Sequence, residues 1–125
     1  MAIDWKRARA LTFGSVMLSM GTLHFVKKEE FESIVPPRLP GGARFYNYAS
    51  GIWELATGAA VINERTRSVG GWSAVALLLA VWPANMYHAR KDWNQSSTGV
   101  GKKLYHVLRQ PAQLLIIREA LQFVR

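Results

Sequence analysis

The sequence predicts an all-α protein, a membrane four-helix antiparallel bundle with a long interfacial loop between helices one and two. Three observations predict it. Charge is segregated: Val69 to Tyr87 holds no charged residue, Ala10 to Val26 holds none when His24 is neutral, and Tyr46 to Ile62 holds only Glu54. These runs fall near the roughly 17 to 20 apolar residues that cross a bilayer. Half of the chain is hydrophobic and 19% is charged, below the roughly 25% charge of ordinary soluble domains. Finally, Lys6, Arg7, Arg9, Lys27, Lys28, Arg65, Arg67, Arg90, Lys91, Lys102 and Lys103 bracket the apolar runs, where cationic side chains meet lipid headgroups.

That bracketing also explains the net charge of +8 without a nucleic-acid partner. The predicted partner is the lipid bilayer. There is no cysteine, which excludes disulfides, thiolate catalysis and any cysteine-ligated cofactor. The 125 residues are read as one integral membrane domain, 1–125, with helices at about 8–25, 46–62, 69–88 and 104–122. The opening MAIDWKRAR before an apolar run resembles a signal peptide, but Gly21 to Lys27 offers no small-residue cleavage pattern, so a retained first helix is expected.

In the first helix, Gly14, Ser15, Ser19 and Gly21 form a small-residue face, with Ser15 and Ser19 as a small-xxx-small pair suited to close approach. The loop from Lys27 to Asn47 begins with a turn or two of amphipathic helix with Phe31 and Ile34 facing the membrane. Pro36, Pro37 and Pro40 stop that helix, and Gly41 with Gly42 provides the turn into the second long helix. Ala56, Gly58 and Ala60 give that helix its own small-residue positions. NERTRS is a reverse turn short enough to make the second and third helices antiparallel neighbours. The third helix carries Ala76, Ala80 and Ala84 on one stripe, and Pro83 is expected to kink or end it. Arg90 to Lys103 reads as a hydrophilic linker. Gln110 and Pro111 look like a helix start, although the fourth helix can also begin near Leu104.

An antiparallel arrangement places the end of helix one, the start of helix two, the end of helix three and the start of helix four in one leaflet. Those ends hold His24, Ser50 with Glu54, Asn85 with His88, and Gln110 with Gln113. Glu54 lies about 12 Å below the start of its helix at 1.5 Å per residue, and a carboxylate at that depth holds its proton or finds a partner. The candidate ligand-binding residues are therefore His24, Ser50, Glu54, Asn85 and Gln113, with His24, Glu54 and Asn85 expected to form a hydrogen-bonded cluster beside a cavity open toward the loop. His88 and His106 are read as interfacial. No metal site is expected, because scattered histidines and one carboxylate do not define one, and no paired-histidine spacing supports a haem. Trp53, Trp82, Tyr46, Tyr48, Tyr87 and Trp93 read as an aromatic belt. No phosphate loop, serine-nucleophile motif or paired-carboxylate pattern appears, and no catalytic residue is assigned.

The segments GTLHF at Gly21 to Phe25, FESIVPPRLP at Phe31 to Pro40, SGIWELATGA at Ser50 to Ala59, RTR at Arg65 to Arg67, WPANMYHA at Trp82 to Ala89 and RQPAQLLII at Arg109 to Ile117 resemble the DoxX-like family of small four-helix membrane proteins. The resemblance implies a multi-pass protein of the bacterial cytoplasmic membrane with a cytoplasmic amino terminus, and association with membrane redox systems. The expected function is an accessory subunit that binds a quinone or lipid and docks on a larger membrane redox complex or on its own copies. Two other readings stand beside it: a membrane enzyme using Glu54 and His24 as an acid–base pair on a lipid-soluble substrate, and a purely structural subunit.

Overall fold

The computed structural model describes residues 2–95 and 97–124, and among them the chain is all helical, with no strand. Four long helices, α1 (Trp5–Val26), α3 (Ala43–Ile62), α4 (Arg67–Trp93) and α5 (Val100–Leu121), are joined by a short helix α2 (Lys28–Glu32) and tight turns. Asp4 starts α1 by accepting a hydrogen bond from the Arg7 amide at 3.0 Å, which satisfies one of the free donors at a helix start. Gly41 and Gly42, at φ of 100° and 85°, turn the chain into α3 through a region that residues with a Cβ rarely adopt.

Glycine sets the closest helix contact. The buried stripe of α1 is Ala10, Gly14, Met17 and Gly21, at helical spacing, and it meets Gly51 and Gly58 of α3. A Cβ added at Gly58 would stand 2.8 Å from the Gly14 carbonyl oxygen, and one at Gly21 would stand 3.1 Å from the Gly51 oxygen. Because Gly14 faces Gly58 while Gly21 faces Gly51, the two helices run antiparallel. The expected Ser15 and Ser19 pair is not the contact. Both serines are exposed, and the Ser19 hydroxyl donates back to the Ser15 carbonyl.

The turn into α4 is closed by side chains. Thr66 Oγ1 donates to the Ala60 carbonyl at 2.8 Å, and the Arg67 guanidinium donates to those of Val61 at 2.9 Å and Ile62 at 3.2 Å. These carbonyls end α3 and have no partner inside the helix. Arg67 is thus 9% exposed and caps a helix, rather than standing at headgroup level as its flanking position suggested. Gly70 packs onto the backbone of Ala60 and Val61, and Gly71 onto the Ala120 carbonyl. The buried stripe of α4 is Gly70, Ala74 and Leu77. Ala76 and Ala80 of the expected alanine stripe are exposed.

Both prolines lie inside longer helices than the sequence suggested. Helix α4 runs ten residues past Pro83 to Trp93, and α5 begins at Val100, well before Pro111. Residues 90–93 and 100–103 of the expected hydrophilic linker are therefore helical. Helices α4 and α5 pair antiparallel, with Asp92 against His106 and Leu78 against Gln113. In contrast, α1 and α5 meet at one end. There Arg9 forms a bidentate ion pair with Glu119, its Nε donating at 2.7 Å, and Phe13 packs on Phe123 with ring centroids 5.2 Å apart. An apolar groove lined by Trp5, Phe13, Val16, Leu115 and Ile116 lies along this contact, and toward the other end a cavity is lined by Met20 and His24 of α1 and Arg109 and Gln113 of α5.

Few apolar side chains are fully buried, and several of those are alanine: Ala10, Met17, Val61, Ala74, Leu77, Ala120 and Phe123. Large apolar side chains such as Leu11, Ile52, Trp72, Leu79 and Met86 face outward. Among the described residues one helix, α4, is long and apolar enough to cross a membrane by length and composition.

Candidate ligand-binding site

A cavity of about 380 Å³ lies within the half of the molecule where α1 ends and α3 begins, and His24, Ser50, Glu54, Asn85 and Gln113 all line it. They reach it from four helices: His24 from the last turn of α1, Ser50 and Glu54 from α3, Asn85 from α4 and Gln113 from α5. Phe31, Ile34, Val35, Pro36 and Leu39 close it from the connecting segment. Phe31 and Ile34 thus face the cavity and not the membrane as expected. The connecting segment is fastened by Arg44 to Glu32 at 3.1 Å and by Lys91 Nζ donating to the Ser33 carbonyl at 3.2 Å.

The centre of the site is His24. Its ring stacks on Phe31 at 4.1 Å between centroids. Its Nδ1 lies 2.8 Å from Asn47 Oδ1, and Asn47 Nδ2 donates to the His24 carbonyl at 2.8 Å. A carbonyl can only accept, so the Asn47 amide nitrogen must face it and the Asn47 oxygen must face the ring. Nδ1 therefore carries a proton. On the other side of the ring, Nε2 stands 3.0 Å from Glu54 Oε2. With Nδ1 protonated, a bond there needs one proton between Nε2 and Oε2, shared as imidazolium with carboxylate or imidazole with carboxylic acid. Either way the pair is net neutral and is a proton donor and acceptor in contact.

Asn85 does not join this cluster. Its Oδ1 accepts from Arg109 Nη2, while Arg109 Nη1 donates to His88 Nδ1 at 3.3 Å. The Arg109 guanidinium, reaching from the neighbouring α5, is the group that takes the Asn85 oxygen. Gln113 donates to the Leu78 carbonyl at 2.9 Å, one residue before the carbonyl that Pro83 leaves without its helical partner. Sequence reasoning missed Asn47 and Arg109. Asn47 is 2% exposed, and its place three residues before Ser50 and seven before Glu54, on one helix face, was the available signal.

Beside the cavity, Asp92 Oδ2 gathers His106 Nε2 at 2.8 Å, His88 Nε2 at 3.1 Å and Lys102 Nζ at 3.2 Å. Asp92 is 6% and His106 2% exposed, so His106 is a core residue and His88 is tied to a buried carboxylate, not an interfacial pair. The ligand atoms of His88, Asp92 and His106 lie within 4.8 Å of one another, a spacing fit for a metal ion. The hydrogen bonds argue for another role. Arg109 can only donate, so His88 Nδ1 accepts and the His88 proton sits on Nε2, directed at Asp92. A metal on Nε2 needs that proton elsewhere.

The sequence and these contacts define a helical protein with a polar-cornered apolar cavity. Residues 13–124 match the family described as a domain of unknown function, DUF8561, and the chain belongs to that family. No curated protein and no solved structure matches it.

Proposed function

We propose that this chain is a small integral membrane protein of DoxX-like type, a four-helix antiparallel bundle that binds a quinone or lipid in its cavity and serves as an accessory subunit of a membrane redox system. The observation that carries the binding reading is the cavity itself. Its wall is mainly apolar, and its polar groups, among them His24, Asn47, Ser50, Glu54, Asn85, Arg109 and Gln113, come from four helices to one end. Such a surface suits a polar head on an apolar tail, since a few placed groups orient a ligand that the apolar wall retains.

The membrane reading draws on the inverted distribution of apolar side chains, with small residues inside and Leu11, Ile52, Trp72, Leu79 and Met86 outside. Small residues at the helix contacts, here Gly14 with Gly58 and Gly21 with Gly51, are what membrane helices use when solvent exclusion does not drive them together. The DoxX-like motifs lie on the same features. GTLHF supplies His24, SGIWELATGA supplies Ser50, Glu54 and Gly58, and WPANMYHA supplies Asn85 and His88.

Native mass spectrometry of untagged protein in mild detergent tests the reading. A bound small molecule that is lost in Glu54→Gln supports it, and a protein without any added small mass rejects it. The second reading, an enzyme with an acid–base pair, is favoured by the single proton held between His24 and Glu54 at the cavity wall. A pH-dependent turnover abolished by Glu54→Gln, with ligand binding intact, distinguishes it.

A further inference from the structure

We propose that the ligand of this cavity is an anionic amphiphile, a carboxylate-headed apolar chain, and that Arg109 holds its head. This rests on the ligand-binding reading above and names the ligand's chemistry. Three charge balances lead to it. Glu54 and His24 share one proton and sum to zero, whichever atom holds it. Asp92 is paired with Lys102 at 3.2 Å. Arg109 lines the same cavity, and among the described residues it has no carboxylate within 4.0 Å; its side-chain partners, Asn85 Oδ1 and His88 Nδ1, are neutral, and its guanidinium lies over the Tyr105 ring at 5.6 Å.

A guanidinium that is partly buried without a counter-ion is costly, and more so where lipid replaces water. Its planar fork suits a carboxylate that accepts two parallel hydrogen bonds. The surroundings preset its direction. Asn85 and His88 take two of its donors, His88 is itself tethered to buried Asp92, and Tyr105 supports the plane.

The tail has a path. Val16, Met17 and Ile116 line both the cavity and a second apolar groove of about 530 Å³ between α1 and α5, walled by Trp5, Phe13 and Leu115. The groove follows the seam between these helices from Val16 and Ile116 past the Arg9 and Glu119 pair, which forms part of its wall, to Trp5. A chain anchored at Arg109 would lie along the seam.

The test uses the full chain in nanodiscs of phosphatidylcholine, with hexadecanoate, hexadecanol and acetate as probes, read by tryptophan fluorescence. Trp82, between the cavity-lining Val81 and Pro83, donates to Gln110, the chain neighbour of Arg109, and serves as the reporter. Hexadecanoate should bind about tenfold or more tightly than hexadecanol, as a charge-assisted bidentate contact gives, and acetate should not compete. Arg109→Gln should bring acid and alcohol to within about twofold while keeping alcohol binding, and Arg109→Lys should retain a preference for the acid. Should Arg109→Gln not fold, the wild-type ratio and Arg109→Lys decide. Equal binding of acid and alcohol to the wild type, a preference that survives in Arg109→Gln, or competition by acetate at the same concentration overturns the proposal and leaves the cavity reading standing. If neither long-chain probe binds, the proposal falls, and native mass spectrometry of the wild type then decides the ligand-binding reading by itself.

Discussion

Asn47 has more influence on this site than its side chain's size suggests. By bonding both Nδ1 and the carbonyl of His24, it selects the tautomer that turns the His24 and Glu54 contact into a shared proton. Asn47→Ala should cost about 1–3 kcal/mol, the usual penalty for leaving buried polar groups unpaired, measured as a loss of thermal stability in detergent. Glu54→Gln behaves differently, because the Gln amide can donate to a neutral Nε2. It should change stability by less than about 1 kcal/mol, whereas Glu54→Leu strands His24 and should cost more. Equal losses in the two variants would argue against a shared proton. At Asp92 the same logic separates partners by exposure. Asp92→Ala leaves buried His106 without its acceptor and should cost about 2–4 kcal/mol, while Lys102→Ala removes an exposed partner worth less than about 1 kcal/mol. Denaturant titration of both variants checks the ordering.

At the scale of elements, the contact of α1 with α3 depends on missing side chains. Gly58→Ala puts a Cβ against the Gly14 carbonyl oxygen, and backbone does not yield as a flexible side chain does. The expected cost is about 1–3 kcal/mol from overpacking. Gly101→Ala is the control, since nothing lies within 4 Å of its Cβ position, and alanine's better helix propensity makes it neutral or slightly stabilising. If both glycines tolerate alanine equally, the helices do not approach as described. The helices themselves were legible because uncharged runs of bilayer length carry that signal. Their ends were less so. Hydrophilic residues at positions 90–93 and 100–103 resemble a linker until Asp92 and His106 are seen to pair across the turn, and proline at 83 or 111 resembles a boundary until the helix is seen to pass through it.

For the whole molecule, the inverted distribution of apolar side chains predicts where the protein partitions. Extraction of native membranes with alkaline carbonate should leave it in the pellet, and release into the supernatant would count against a multi-pass arrangement. Substituting Leu79 with Lys, exposed midway along α4, should lower recovery from membranes more than the same change at exposed Val69 near the start of that helix. The reason is that a charge costs about 2.5–3.5 kcal/mol near the centre of a bilayer-spanning helix and far less near the interface.

Sequence by itself determined the helical class, the approximate positions of four long helices and five of the polar residues that line the cavity. Periodic apolar runs dictate helices locally, and a polar residue inside such a run is conspicuous without coordinates. The tertiary structure decided which polar groups touch. Asn85 went to Arg109 instead of to Glu54, His106 and Asp92 went inside, and Arg67 capped a helix, because each partner stands on another helix or across a turn, where three-dimensional reach rather than sequence distance sets the bond. It also decided which small residues face each other, since a serine pair and a glycine pair differ little as patterns, and only the glycines leave room for one backbone against another.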